Sequence, residues 1–139
     1  VDRLRSARET PDPVIRPDDV PDPVVLASSD PAQPYGAALA WPDTSGRPAR
    51  SASSIVVSRA GRPLVWFDRR GHHLVLFAEA VVDPSWADAL VTLVKTDRAR
   101  SIEVRKIDGN RLADAPEGIL QILRSAGFVD GYRGLTHRG

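Results

Sequence analysis

The sequence predicts an α+β domain that is mainly β, an antiparallel β-barrel or barrel-like sheet with two covering helices and an extended proline-rich strap at its N-terminal end. Three observations lead to this prediction. Residues 53–82 contain three runs of strand-forming residues separated by short turns. Two amphipathic helical patterns follow, over residues 84–95 and from about residue 116 to 125. Residues 10–34 hold more than half of the chain's twelve prolines.

The first 34 residues are expected to lie outside the main domain, which is predicted over residues 35–139. The pattern of residues 1–9 is typical of the end of a helix. Proline fixes φ and lacks a backbone N–H, so residues 10–34 are expected neither to form a helix nor to enter the interior of a sheet. We expect an extended strap on the surface, anchored by five apolar side chains, which are Val14, Ile15, Val24, Val25 and Leu26.

The three strand-like runs read SSIVVSR, PLVWFDR and HHLVLFAEAVV, and the turns between them contain AGR and RGH. Turns this short favour antiparallel neighbours, so the runs predict a three-stranded meander. Apolar residues occupy both alternating positions of each run, as Ile55 and Val56 do in the first. Because side chains alternate between the two faces of a strand, both faces must be covered, which indicates a closed or well-covered sheet.

Start and stop signals accompany both predicted helices. The first is preceded by Asp83-Pro84, a pairing typical of an N-cap with proline at the first helical position. The second opens with Asp114 and Glu117 at capping-box spacing. Gly127 follows it at the C′ position, where many helices end.

Further strands are predicted around the second helix. Residues 101–107, SIEVRKI, predict a single strand with Ile102 and Lys106 on the same face. Asp108-Gly109 directly after it is a strong signal of a tight turn. The glycine-rich ending GFVDGYRGLTHRG predicts one final short strand.

The motifs of several enzyme classes are absent from the sequence. A phosphate-binding loop needs GxxxxGK[ST], and neither this string nor GxGxxG occurs. No serine stands in a GxSxG elbow. The absence of cysteine excludes disulfides and cysteine-ligated zinc. We therefore predict neither a catalytic set nor a metal site.

The histidines and acidic residues suggest a metal site or acid–base chemistry, but structural roles explain them better. His72 and His73 are adjacent, and adjacent residues in a strand point to opposite faces, which favours a polar turn over a metal site. Asp68 and Glu79 are candidates for acid–base chemistry near the meander. Glu79 lies in the apolar stretch FAEAVV, and a salt bridge to a meander arginine explains it better.

An arginine cluster stands out, although the net charge is only +1. Between Ser45 and Val75, six arginines accompany one acid, Asp68. Hairpin ends place side chains at a rim that can follow a nucleic-acid backbone. Trp41 or Trp66 would supply a stacking face, although core packing suits Trp66 better. The predicted phosphate-binding residues are Arg47, Arg50, Arg62, Arg69 and Arg70. The alternative is their pairing with strap acids, namely Asp18, Asp19 and Asp22.

Several strings spread over the chain point to a known family. They are DPAQPYG, AWP, RPA and SSIVVSRAGRPLVWFDRRGHHLVLF, with AGFVDGYRGL near the end and VDRLR at the start as the most specific. Together they resemble a segment near the C-terminus of the large helicase-related (Lhr) proteins. The resemblance covers essentially the whole chain, and its motifs are structural rather than catalytic.

The resemblance implies the C-terminal β-barrel module of an ATP-dependent superfamily 2 DNA helicase, linked to DNA repair, bacterial of the actinobacterial type, and cytoplasmic. Such proteins resemble a helicase core followed by winged-helix modules and a barrel, similar to winged-helix DNA glycosylases. ATP and magnesium would belong to the helicase core, and no cofactor is expected in this segment. The glutamine-centred motif of those glycosylases has no match, so no catalytic residue is carried over.

Three functions remain open at this point. The first is an accessory module that binds single-stranded or hybrid duplex DNA through the basic rim. The alternative is an assembly module without DNA contact, which packs against the preceding winged-helix modules or another subunit of a homo-oligomer. The third is a residual glycosylase contribution from Asp68 or Glu79. No membrane partner is expected, because no apolar run approaches the ~20 residues that span a bilayer.

Overall fold

The structure is a computed structural model that describes residues 21–96 and 98–138. Over this part of the chain the fold is α+β and mainly β, as predicted. A larger sheet has the strand order β1-β2-β3-β4-β6-β7, and a smaller sheet has the order β5-β9-β8. The elements are β1 (Val24–Ala27), β2 (Ser54–Arg59), β3 (Arg62–Asp68), β4 (His73–Leu76), α1 (Ser85–Lys95), β5 (Ser101–Val104), β6 (Lys106–Ile107), β7 (Asn110–Arg111), α2 (Glu117–Ala126), β8 (Val129–Asp130) and β9 (Leu135–Arg138).

The predicted meander is confirmed by β2, β3 and β4, which pair antiparallel. Val56, Trp66 and Val75 lie side by side across these three strands. The turn between β2 and β3 is Ala60-Gly61, where φ is 53° and 80°. Two successive positive φ angles are what a two-residue type I′ hairpin requires, so the short turn fixes the antiparallel register.

The predicted barrel and the purely antiparallel pairing are both wrong. Within the residues that the structure describes, the larger sheet is open, with β1 at one edge and β7 at the other. Strands β4 and β6 run parallel, with Leu74 opposite Ile107. A parallel neighbour requires a long crossover connection, and the chain between β4 and β6 supplies it through α1 and β5.

An irregular segment covers the second apolar face of the meander, which is why that face is apolar without closure of the sheet. The opposite face packs against the helices. Over the second face, Trp41 packs against four buried side chains, which are Val56, Trp66, Val75 and Phe77. The rings of Trp41 and Phe77 stack with their centroids 6.2 Å apart. Apolar residues on both faces of a strand indicate that each face is covered, but they do not indicate which part of the chain covers it.

Part of the predicted strap forms the edge strand β1. It pairs with β2, and Val25 lies opposite Val57. Proline is tolerated beside an edge strand because no ladder partner is lost there. Val24 is 51% exposed, whereas Val25 and Leu26 are half-buried. Val14 and Ile15, and the helix end predicted over residues 1–9, lie outside the described residues.

The single strand predicted over residues 101–107 is wrong, because the chain changes sheets at Arg105. The backbone N–H groups of Arg105 and Lys106 both donate to the His72 carbonyl oxygen, at 2.8 and 3.2 Å. Strand β5 joins the smaller sheet and β6 the larger one, so Ile107 rather than Lys106 is buried. The tight turn predicted at residues 108–109 is confirmed, with φ values of 53° and 83°.

Both predicted helices are present. The N-cap of α1 is Pro84, one residue after the predicted Asp83, whose carboxylate accepts a hydrogen bond from the Ser85 N–H (3.1 Å). Helix α2 ends at Gly127, whose φ of 115° confirms the predicted C′ glycine. The predicted capping box is wrong, since Asp114 lies in a 3-10 turn with its carboxylate 3.6 Å from Arg111 Nε.

His73, at the start of β4, holds the turn between β6 and β7. Its Nε2 accepts a hydrogen bond from the Gly109 N–H (2.8 Å), so this nitrogen carries no proton. The ring also meets Trp66 edge-on, with the centroids 5.9 Å apart. Burial, and after it the charge of Lys106, lowers the pKa of His73 below its ordinary value.

We expect the free energy of unfolding to decrease as the pH falls from about 7.5 to 5. A histidine with a lowered folded-state pKa stabilises the protein fully above its ordinary pKa of 6.5, and this stabilisation is lost as the pH falls through the folded-state pKa. Urea denaturation followed by circular dichroism measures the effect. In His73→Gln, an uncharged acceptor remains, so the pH dependence should weaken. An unchanged dependence would contradict this role of His73.

Candidate nucleic-acid interface

The turn between β3 and β4 brings Arg69 and Arg70 together at one end of the larger sheet. Asp68 ends β3, and its carboxylate accepts hydrogen bonds from the Ser53 hydroxyl (2.7 Å) and the Arg70 N–H (3.1 Å). These bonds engage the carboxylate with a neighbouring hydroxyl and with the backbone of the turn, while both arginines stay exposed. The turn therefore forms a fixed support for two adjacent positive charges.

A shallow depression adjoins the turn. Its lining residues are Ser51, Ala52, Ser53, Arg69 and Arg70. Arg69 Nη1 lies 3.5 Å from the Arg98 carbonyl oxygen, which holds this guanidinium near the residues that follow α1. Over residues 21–96 and 98–138, neither Arg69 nor Arg70 forms an ion pair with a carboxylate. The depression thus combines small serine and alanine side chains with two guanidiniums.

Arg50 and Arg47 lie on the irregular segment before β2. Arg50 is half-buried, and its Nη1 donates to the carbonyl oxygens of Gln33 (2.7 Å) and Tyr35 (3.3 Å). These bonds hold the segment around residues 33–35, so the Arg50 guanidinium has a structural role and does not extend into solvent. Arg47 is exposed on the same segment.

Arg62 lies at the other end of β3 from Arg69. At about 3.3 Å per residue, this strand separates the two positions by roughly 20 Å. Arg62 Nη1 lies 3.6 Å from the Glu79 carboxylate, which confirms the salt bridge predicted between Glu79 and a meander arginine. The five predicted arginines therefore do not form one continuous rim.

Both tryptophans considered as stacking faces are engaged within the protein. Trp66 is 5% exposed, and its Nε1 donates to the Ala49 carbonyl oxygen (2.9 Å), which fits the core role favoured for it. Trp41 is half-buried and stacks with Tyr35 and Phe77, each at a centroid distance of 6.2 Å. Neither ring is placed to receive a base.

Asp83 is held at the start of α1 and beside Arg59. Its Oδ1 lies 3.2 Å from Arg59 Nη1 and also accepts the Ser85 N–H. Burial works to raise the pKa of Asp83, but the hydrogen bonds from Ser85 and the Arg59 charge outweigh it, and the pKa is lowered. Asp83 therefore stays ionised as part of the framework.

The acids of the strap and the remaining titratable groups add little to this surface. Asp22 forms no ion pair with the predicted arginines among the described residues, and Asp18 and Asp19 lie outside them. In the same part of the chain, no three His, Asp or Glu side chains are grouped as metal ligands. No helix of the described ranges is long and apolar enough to cross a membrane.

Similarity to known proteins decides the family. The chain is 43% identical, over 99% of its length, to a protein of Mycolicibacterium smegmatis named Lhr helicase/probable uracil glycosylase. The chain belongs to the Lhr family. It is also 26% identical, over 81% of its length, to the Lhr helicase/uracil glycosylase of Escherichia coli. The chain spans only 10% and 8% of these two relatives, and no protein-family model matches it.

This Lhr segment carries a second cationic surface that was not predicted. It lies at the hairpin of β8 and β9, where Tyr132 is 98% exposed. The signal for it was the string GYRG, because an aromatic residue in a turn between two glycines has no strand face on which to pack. The predicted binding surface was instead based on the density of arginines around the meander.

Proposed function

We propose that this Lhr segment is the C-terminal accessory module of an ATP-dependent DNA helicase that acts in DNA repair, and that it contacts DNA phosphates through the β3–β4 turn. The observation that carries the proposal is the pair of exposed guanidiniums, Arg69 and Arg70, above a depression lined by serines. The names of the two relatives support a helicase as the whole polypeptide. ATP and magnesium would bind outside this segment, which lacks GxxxxGK[ST].

The geometry of the turn suits phosphate contact. A guanidinium donates two parallel N–H bonds to phosphate oxygens, and the turn places two exposed guanidiniums at adjacent positions. Because the Asp68 carboxylate is occupied by Ser53 and the Arg70 N–H, it fixes the turn instead of competing for the guanidiniums. In this proposal Arg47 extends the surface and Arg50 positions the loop beside it.

The double variant Arg69→Ala/Arg70→Ala is expected to weaken DNA binding and its dependence on salt. Each lost phosphate contact lowers the slope of log K against log salt by about 0.7 for single strands, so two contacts lower it by about 1.4. Fluorescence anisotropy with labelled single-stranded DNA and a DNA–RNA hybrid, over a series of salt concentrations, measures both quantities.

The double variant Arg62→Ala/Arg111→Ala is the matched control. It removes the same charge from two exposed arginines that are already paired with the carboxylates of Glu79 and Asp114. An equal loss in both double variants would show that only net charge matters. No binding by the unmodified chain at ~20 mM salt, where phosphate contacts are strongest, would overturn the proposal. The assembly module, which the exposure of Val81 and Val82 favours, would then be the better function.

The glycosylase activity named for the two relatives is not assigned to Asp68 or Glu79 in this proposal. Asp68 accepts hydrogen bonds from the Ser53 hydroxyl and the Arg70 N–H, and the Glu79 carboxylate lies 3.6 Å from Arg62 Nη1. These contacts support framework roles for both carboxylates. We therefore propose a binding role for the segment and no catalytic role for either carboxylate.

A further inference from the structure

The hairpin of β8 and β9 carries an aromatic side chain that is almost completely exposed, unlike the other aromatic side chains of the described residues. The chain has three Trp, two Tyr and three Phe residues, and all eight lie within the described ranges. Seven of them are buried or half-buried, whereas Tyr132 is 98% exposed. An aromatic side chain stabilises a fold mainly when it is buried, so the Tyr132 ring adds little to stability and its face is available to a partner.

The loop that carries Tyr132 is held rigidly against the protein. The Gly131 N–H donates to the Gly134 carbonyl oxygen (2.7 Å) and closes the turn. Gly134 lies directly on the backbone of Val104, where no side chain would fit. Gly131 is also confined, since an added Cβ would lie 2.9 Å from the Thr136 hydroxyl oxygen. Tyr132 is thus presented by a turn that is closed by a hydrogen bond and packed on the backbone of β5, an arrangement that favours a defined position for the ring.

Positive charge surrounds the base of the loop. A depression beside it contains three arginines, Arg105, Arg133 and Arg138, against the single carboxylate of Glu103. Glu103 is already engaged, with Arg105 Nη2 at 2.7 Å, and this hydrogen bond is the main cause of the lowered pKa of Glu103. Over the described ranges, Arg133 and Arg138 form no ion pair with any carboxylate.

We propose that this hairpin is a binding site for single-stranded nucleic acid, at which Tyr132 stacks on an unpaired base while Arg133 and Arg138 contact the adjacent phosphates. Aromatic stacking on bases, combined with a cationic groove, is the general means by which proteins hold single strands without sequence preference. A duplex offers no such base, because its bases are stacked and paired. The site is distinct from the β3–β4 turn.

The two surfaces are neighbours in the fold. The His72 carbonyl oxygen, at the end of the β3–β4 turn, accepts the N–H groups of Arg105 and Lys106. His72 Nδ1 lies 3.9 Å from the Glu103 carboxylate on the wall of the second depression. The β3–β4 turn and the second depression therefore adjoin at His72. This adjacency lets one single strand occupy both sites.

Anisotropy with labelled oligothymidylate tests the site on the full chain. Tyr132→Ala is expected to bind it about tenfold more weakly, while Tyr132→Phe, which keeps the ring, binds like the unmodified chain. Val82→Ala is the matched control, since it truncates an exposed apolar side chain that does not line this depression. The affinity for a blunt duplex, and for an abasic strand of the same length, should not change in Tyr132→Ala.

The outcomes separate this inference from the proposed function. If Tyr132→Ala binds oligothymidylate normally while Arg69→Ala/Arg70→Ala does not, the inference is wrong and the proposed function stands. An equal loss on the abasic strand would overturn the stacking role. A change in sedimentation without a change in DNA affinity would make Tyr132 a protein contact instead. Circular dichroism of each variant verifies that the fold is retained.

Discussion

Replacing Trp86 with alanine is expected to lower the free energy of unfolding by about 3–5 kcal/mol, the cost usual for removing a buried large aromatic side chain. Trp86 is fully buried in α1, and its Nε1 donates a hydrogen bond to the Ala80 carbonyl oxygen (2.8 Å). The substitution leaves a cavity between the helices and the larger sheet, and it leaves a buried carbonyl group without its donor. Chemical denaturation followed by circular dichroism measures the loss.

Trp86→Phe separates the two contributions. Phenylalanine fills most of the space but cannot donate to Ala80, so we expect a smaller loss, on the order of 1–3 kcal/mol for an unsatisfied buried acceptor together with a partial cavity. A loss below about 1 kcal/mol in Trp86→Ala would contradict the placement of this side chain at the centre of the core.

Replacing Gly134 with alanine is expected to cost about 3 kcal/mol, at the upper end of the range for overpacked sites. An added Cβ would overlap the Val104 carbonyl oxygen, and it would lie 3.0 Å from the carbonyl carbon and 3.1 Å from the Arg105 Cα. Backbone atoms cannot rotate away as a side chain does, so the hairpin must separate from β5. The pairing of Val104 with Leu135 would then be lost.

Gly118→Ala is the matched control for this prediction. Gly118 lies in α2, and an added Cβ there meets nothing within 4 Å. Alanine is the better helix former by about 0.5–1 kcal/mol, so this substitution should stabilise the protein. The same chemical change is thus expected to act with opposite signs at the two positions. Thermal melts of both variants measure the contrast, and equal signs would contradict it.

The sequence predicts well those features that depend on neighbouring residues. The short turn at Ala60-Gly61 determines the antiparallel meander, and local signals determine where both helices stop or start, such as Asp83 before α1 and Gly127 after α2. Asp114 fails as a capping residue because α2 begins only at Glu117, with Pro116 at the N-cap, so Asp114 lies in the preceding 3-10 turn. The spacing of two residues does not determine at which of them a helix begins.

Features that depend on distant partners were not predictable. Nothing in residues 101–107 indicates that the His72 carbonyl oxygen will accept two N–H groups and divide the strand at Arg105. The cover supplied by Trp41 explains the second apolar face, and a barrel would have explained it equally well. Proximity in sequence likewise grouped Arg62 with Arg69, although a whole strand lies between them.

The junction at Arg105 has a consequence for the order in which the chain folds. The meander forms from contacts that are close in sequence, which generally assemble quickly. The parallel pairing of Leu74 with Ile107 closes a much longer loop, which contains α1 and β5. Until β6 pairs with β4, the backbone of β4 is an open edge able to pair with another unfolded chain. Docking of one short segment therefore protects the third strand of the meander from such pairing.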